Sequence, residues 1–277
     1  MKKRSIITGK IILTFVIFAV LLALGSMLLS ISIGGEITSS DSRLISTVSM
    51  ILAPFLTYAF FEKKNKWSMG LQQSYAVKST VQGLLAGILL ISISFLAIWL
   101  FNGLHINSIQ YDSETLRGVG ISFVLFILVA FSEEILFRGY IQGLLRNHYG
   151  ANIAIIHSSI LFALLHIMNP GILSTPFTLI NIFLIGIFFA VTRELTGGIW
   201  LPIGFHLTWN FFQGNIFGFA VSGTDSKTII SISSQGNSLI SGGEFGAEGS
   251  ILATVIILIA CIIVMRIRKT KSAPLSS

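Results

Sequence analysis

An all-α, polytopic transmembrane helix bundle is the fold class that this sequence predicts, and three observations predict it. Of 277 residues, 53% are hydrophobic and only 10% are charged, whereas an ordinary soluble domain carries about 25% charged residues. The mean hydropathy is +0.86. The apolar residues gather into runs close to the roughly 20 residues that a bilayer-spanning helix needs, and the basic residues cluster between those runs. So few charges cannot cover the surface of a soluble fold, so most of the exterior must face lipid.

Eight stretches qualify as spans: 11–33, 44–61, 80–101, 118–138, 151–168, 176–192, 199–217 and 250–265. The sixth and eighth are short, and the fifth and seventh carry polar residues, so seven is the competing count. Met1-Lys2-Lys3-Arg4 ahead of the first run raises the question of a cleaved signal peptide. The apolar stretch continues past Leu24 to Ile33 without a small-x-small cleavage site, which favours a retained first helix.

Lys and Arg placement sets the orientation. With the N-terminus in the cytoplasm, the inner segments hold Lys2, Lys3, Arg4, Lys10, Lys63, Lys64, Lys66, Lys78, Arg138, Arg146, Arg193, Arg266, Arg268, Lys269 and Lys271. The outer segments hold only Arg43, Arg117 and Lys227, so 15 of the 18 basic residues lie inside. Both termini are expected in the cytoplasm. The net charge of +7 forms no continuous patch, and nucleic acid is not expected as a partner. Cys261, the single cysteine, cannot form an intrachain disulfide.

The chain divides into residues 1–117, with three helices and their loops, residues 118–218, where the unusual polar residues lie, and residues 219–277. The last part combines a Gly/Ser-rich outer segment, the final span and a basic tail. The stretch 218–249 reads as a flexible or partly ordered loop, and Lys269 to Ser277 as a disordered tail.

Ionisable groups inside spans are costly and usually face a bundle interior or a watery cavity. The first cluster is Phe131-Ser132-Glu133-Glu134-Ile135-Leu136-Phe137-Arg138-Gly139. On a helix, Glu133 and Glu134 point about 100° apart and cannot share one environment. Arg138 follows Glu134 by four residues, the favourable order for a same-face ion pair. Glu134 is thus expected to pair with Arg138 and leave Glu133 free. Taken alone, the cluster also fits an interfacial charge group at a helix end.

The second is Phe162-Ala163-Leu164-Leu165-His166. A single His in an apolar helix is more often a hydrogen-bonded packing residue than a catalytic one. Geometry argues further. A turn near Tyr149-Gly150 puts Glu133 about 16 residues before it and His166 about 16 after, so both stand roughly 24 Å from the turn. The third is His206-Leu207-Thr208-Trp209-Asn210, whose spacing of four stacks His206 and Asn210 on one face. Measured from a turn near Gly197-Gly198, these two stand only about 12–20 Å up, so the levels match if the fourth and fifth helices project about 5–10 Å into the cytosol. His157 reads as structural or cavity-lining, His148 as a turn residue and His105 as part of an outer loop. Asn181 and Asn215 read as interhelical hydrogen-bond groups.

Together, Glu133-Glu134-x-x-x-Arg138, Phe162-x-x-x-His166 and His206-x-x-x-Asn210 resemble the CAAX protease and bacteriocin-processing (CPBP, or Abi) family, which includes the Ras-converting-enzyme type of CAAX prenyl endopeptidase. The resemblance covers roughly 118–218, and Arg138-Gly139-Tyr140 continues it. It implies an intramembrane endopeptidase acting on a membrane-associated peptide or protein, in contact with the lipid bilayer. Some members process prenylated CAAX proteins, and bacterial members act on other peptides or are linked to bacteriocin immunity. Met-Lys-Lys-Arg and the short inner loops look bacterial, which places the protein in a bacterial plasma membrane.

In the preferred reading Glu133 is the general base that activates water, and no cofactor is needed. His166 orients that water and protonates the leaving amine. His206 and Asn210 supply oxyanion donors, and Glu134 with Arg138 fixes the helix. The rival chemistry is a zinc site with Glu133, His166 and His206 as ligands and an open position for water, although no H-E-x-x-H helix is present. Two other classes compete: a non-catalytic membrane immunity or binding protein, and a proton-coupled secondary transporter. No inverted repeat supports the transporter.

Overall fold

The computed structural model describes residues 2–65 and 67–272. Lys66, counted above among the inner charges, and tail residues 273–277 lie outside them. The chain runs through α1 (Lys2–Ile33), α2 (Ser39–Phe61), α3 (Ala76–Leu100), β1 (Leu104–Ile109) and α4 (Ser113–Glu134). A π-helical segment, Ile135–Ile141, joins α4 to α5 (Gln142–Tyr149), and α6 (Ala151–Leu165) and α7 (Phe177–Thr196) follow. Next come α8 (Trp200–Phe211), a second π-helical segment (Phe212–Ile216), β2 (Ile230–Ser234), α9 (Ser238–Ser241) and α10 (Ile251–Ser272).

The protein is an integral membrane protein with several spans. Seven helical stretches among the described residues are long and apolar enough to cross a bilayer, including Ser113–Tyr149 as one 37-residue unit. The expected seventh span, 199–217, is the exception. It is helical, but α8 has only 12 residues before the backbone passes into the five-residue π-helical segment. Much of it is buried against neighbours, so its place is inside the bundle. The 37-residue unit measures about 55 Å at 1.5 Å per residue, longer than the ~30 Å hydrocarbon core.

Contacts sort the loops into two ends that agree with the charge pattern. At the inner end, Lys10 pairs with Glu62, Trp200 Nε1 donates to the Leu71 carbonyl at 2.8 Å, and Arg146 pairs with Glu194 at 2.7 Å. Arg268 there donates to Asn152 Oδ1 at 2.9 Å. Glu62 is held below the usual carboxylate range: burial opposes this, but donors from Lys10, Trp67 and Asn65 outweigh it. At the outer end, Asp112 caps α4 by accepting from the Thr115 amide at 2.9 Å, and these hydrogen bonds lower its carboxyl. Lys227 reaches Glu114 at 2.8 Å.

The core is built by close helix approach. Gly83 and Gly87 on α3 face α8 so closely that an added Cβ would lie 2.1 Å from the Leu201 carbonyl oxygen and 2.2 Å from Thr208 Oγ1. Small residues four apart let backbones touch where lipid gives helices no hydrophobic reason to associate. Thr208 Oγ1 donates across this contact to the Leu84 carbonyl at 2.9 Å. This fixes α8, and with it His206.

Two expectations for the outer and inner ends need correction. The stretch 218–249 is ordered: β2 pairs antiparallel with β1, placing His105 on a strand opposite Ser233, not in a loop. Six of its glycines, at 218, 223, 236, 242, 243 and 246, adopt positive φ and let it fold back on the helices. The tail is helical as far as Ser272, because α10 simply continues past its apolar stretch.

Candidate active site

The turn at Gly150, with φ of 84°, folds α6 back along α5 and the first π-helical segment. It brings His166 Nε2 to 3.9 Å from Glu133 Oε2. The turn at Gly197, φ of 74°, returns α8 so that His206 Nε2 stands 4.0 Å from the same oxygen. Asn210, one turn further along α8, lines the same cavity of ≈ 270 Å³. Three separate helices thus deliver a carboxylate, two imidazoles and an amide to one space.

The two glutamates diverge as their helical angle requires. Glu133 borders the cavity, whereas Glu134 is fully buried. Glu134 Oε2 lies 3.5 Å from Arg138 Nε, the expected pair, at the start of the π-helical segment. Single π turns are rare and recur at functional sites. Arg138, 0% exposed, also sits 4.6 Å from the Phe162 ring centroid and 5.5 Å from that of Phe189. Aromatic faces are suitable surroundings for a buried guanidinium.

Glu134 has a second partner, which the sequence reading did not assign. His206 Nδ1 lies 3.2 Å from Glu134 Oε1. A carboxylate only accepts, so Nδ1 is the donor and the ring is oriented with Nε2 toward Glu133. His166 is oriented the same way by the backbone, its Nδ1 donating to the Phe162 carbonyl at 2.8 Å. Both rings therefore present Nε2 to the cavity. Glu133 Oε2 is buried and has no hydrogen-bond partner. Its 3.9 and 4.0 Å separations from the rings are too long for direct bonds, which reach about 3.2 Å. They leave room for one bridging oxygen.

Among the described residues, no group of three or more His, Cys, Asp or Glu side chains is set to hold a metal ion. In a tetrahedron with zinc bonds of ~2.0–2.1 Å, ligand atoms stand about 3.3 Å apart. Glu133 Oε2 stands 3.9 and 4.0 Å from the two Nε2 atoms, so a tetrahedral zinc would need the carboxylate drawn closer to both rings.

Sequence reasoning missed the cavity's outer wall. Arg43 from α2, Asn169 after α6, and Val221, Ser222, Thr224 and Glu248 from the outer loop all line it. Glu248 is buried, accepts from Trp209 Nε1 at 3.3 Å and has its second oxygen unpartnered. Burial raises its carboxyl above the usual range. No motif or periodicity marks Glu248, and its placement depends on Asn181. That residue donates to the Glu248 and Ser250 carbonyls at 2.7 and 3.0 Å. Asn215 donates to the Lys227 carbonyl at 2.6 Å. Both asparagines tie helices to the outer loop, where helix-to-helix bonds were expected. His157 borders a separate groove against α1, and His148 stays at the inner turn.

Residues 115–212 match the family described as type II CAAX prenyl endopeptidase Rce1-like. Over those residues the chain is similar to an Rce1-like domain. They include Glu133, Glu134, Arg138, His166, His206 and Asn210, whereas Arg43 and the loop wall with Glu248 lie outside the matched stretch. A comparison with curated proteins gives no match. A second cleft, of ≈ 430 Å³, shares Arg43, Val129 and Glu133 with the central cavity and opens beside Leu22 and Met50. The Rce1-like stretch thus meets α1 and α2 at the edge of its site.

Proposed function

We propose that the protein is an intramembrane endopeptidase, akin to CAAX prenyl proteases, that hydrolyses a peptide bond of a membrane-associated protein or peptide with water activated by Glu133. The observation that carries this reading is the unpartnered Glu133 Oε2, set 3.9 and 4.0 Å from two imidazole nitrogens across one cavity. The bundle 118–218 acts as the catalytic unit, with 1–117 and 219–277 supporting and closing it. The short basic inner loops favour a bacterial plasma membrane.

Water held among Glu133 and the two Nε2 atoms loses a proton to Glu133 as its oxygen attacks the substrate carbonyl. The proton reaches the leaving nitrogen through His166 as the C–N bond breaks. His206 carries the proton that makes Glu133, Glu134, Arg138 and His206 neutral as a group, and its Nε2–H joins the Asn210 amide as oxyanion donor. Preorganised donors in a low-dielectric site are effective because they need no reorientation as charge develops.

The test reconstitutes the purified protein in vesicles with the host's membrane-protein fraction and maps new N-termini after strict chelation. New termini should form with the native protein and vanish with Glu133→Gln. Absence of native cleavage would refute the peptidase, and recovery only on adding zinc would replace Glu133-activated water with a metal mechanism.

A further inference from the structure

The cavity is closed on one side and open on the other. Toward the inner end, the helix beyond Glu133 is sealed: Arg138, Tyr140, Ile141, Gln142 and Leu144 are all 0% exposed. Gln142 Nε2 bonds the Ala190 carbonyl at 2.9 Å and Glu194 Oε1 at 3.0 Å, closing the layer against α7. Thirteen residues separate Glu133 from the exposed Arg146, which is about 20 Å of helix. Toward the outer end, the lining comes from helix ends and loops: Arg43 near the start of α2, Asn169, Ser222 and Thr224. Thr224 is exposed and marks the mouth.

The identity of the two ends rests on a separate observation. Among the described residues, the sealed end carries 14 of 17 basic residues, counting Arg138 in the seal itself. The open end carries only Arg43, Arg117 and Lys227, of which Lys227 is paired with Glu114. Positive charge marks the cytoplasmic side of short-looped membrane proteins.

We infer that the site is loaded from the extracytoplasmic face, so that its substrates are exported or membrane-anchored polypeptides cut in their extracytoplasmic segments, not the cytosolic tails of prenylated proteins. This rests on the peptidase reading for the word substrate, but the direction of opening stands on the burial and charge patterns alone. Arg43, which lines the same space as Glu133, supplies a positive charge at the entrance.

The test uses the full chain with the buried Cys261 replaced by alanine and one new cysteine at a time. In intact cells a membrane-impermeant thiol reagent should modify Thr224→Cys and the neighbouring exposed Asp225→Cys. It should reach Asn147→Cys, at the inner turn, only after the membrane is permeabilised. Modification of Thr224→Cys and Asp225→Cys only after permeabilisation, or on neither side, overturns the inference. Using both positions guards against one variant failing to fold. The termini that depend on Glu133 should map to extracytoplasmic segments, and termini confined to cytosolic tails would contradict the inference while leaving the peptidase intact. If no termini depend on Glu133 but the labelling pattern holds, the peptidase reading fails and the outward opening survives.

Discussion

Residues 115–212 and residues 218–249 supply facing walls of one cavity, and they hold their side chains by different means. In the helices, position follows from the period of the backbone: His206 and Asn210 share a face because they are four apart, and Glu133 and Glu134 separate because they are adjacent. In the loop, position follows from glycine turns and from tethers to distant helices. Gly246, at φ of 91°, passes so close to Ala220 that a Cβ would lie 2.1 Å from its carbonyl oxygen. Asn181 then fixes the Glu248 backbone from α7 at 2.7 Å. One wall is written locally, the other depends on contacts 67 residues apart.

Variants on the two walls sharpen the contrast. The largest effect is expected in the helices. Glu133→Gln should lower cleavage about 10²–10⁴-fold, the usual worth of a general base, with no change in thermal unfolding. Unchanged cleavage rates would reassign the base. Arg138→Met should act on stability, because it leaves Glu134 buried without its cation. Breaking a buried pair from one side costs about 3–5 kcal/mol, measurable as an unfolding midpoint in detergent followed by tryptophan fluorescence. A midpoint equal to the native one would show that His206 alone suffices to hold Glu134.

Effects in the loop should be smaller and of another kind. Gly246→Ala forces an L side chain into a left-handed backbone region against the Ala220 carbonyl, at a cost of about 1–3 kcal/mol. It should raise proteolytic nicking within 218–249 while the helices stay protected. Uniform loss of protection would mean that the roof and the bundle unfold together. The smallest effect is expected for Glu248→Gln. Burial raises the Glu248 carboxyl, so the folded protein keeps a proton that the unfolded chain has already released. Stability should therefore fall as pH rises from the ordinary carboxylate range through the raised value. The glutamine variant should flatten that slope, and a slope unchanged by the substitution would remove Glu248 as its cause.

The same contrast explains what could be read from the sequence. Charge depletion and apolar run length disclosed the bundle, and the turns at Gly150 and Gly197 put Glu133, His166 and His206 within reach of one another. The bridge from Glu134 to His206 was not legible, since it joins residues 72 apart whose helices meet only through packing. The buried place of 199–217 was hidden for a related reason. It depends on Gly83 and Gly87 in a neighbouring helix, not on the hydropathy of the stretch itself. The loop misled because Gly and Ser lower local hydropathy whether a segment is mobile or tightly folded. Glu248 shows no pattern at all until Asn181 and Trp209 are placed beside it.

The arrangement of Glu133, His166 and His206 is tested most directly by a cryo-EM map of the protein in a lipid nanodisc, at a resolution that shows ordered solvent. The account predicts one water-sized feature within about 2.6–3.2 Å of Glu133 Oε2 and both Nε2 atoms. A carboxylate turned away from the two rings, or a metal peak bonded to all three at ~2.0–2.1 Å, would contradict it.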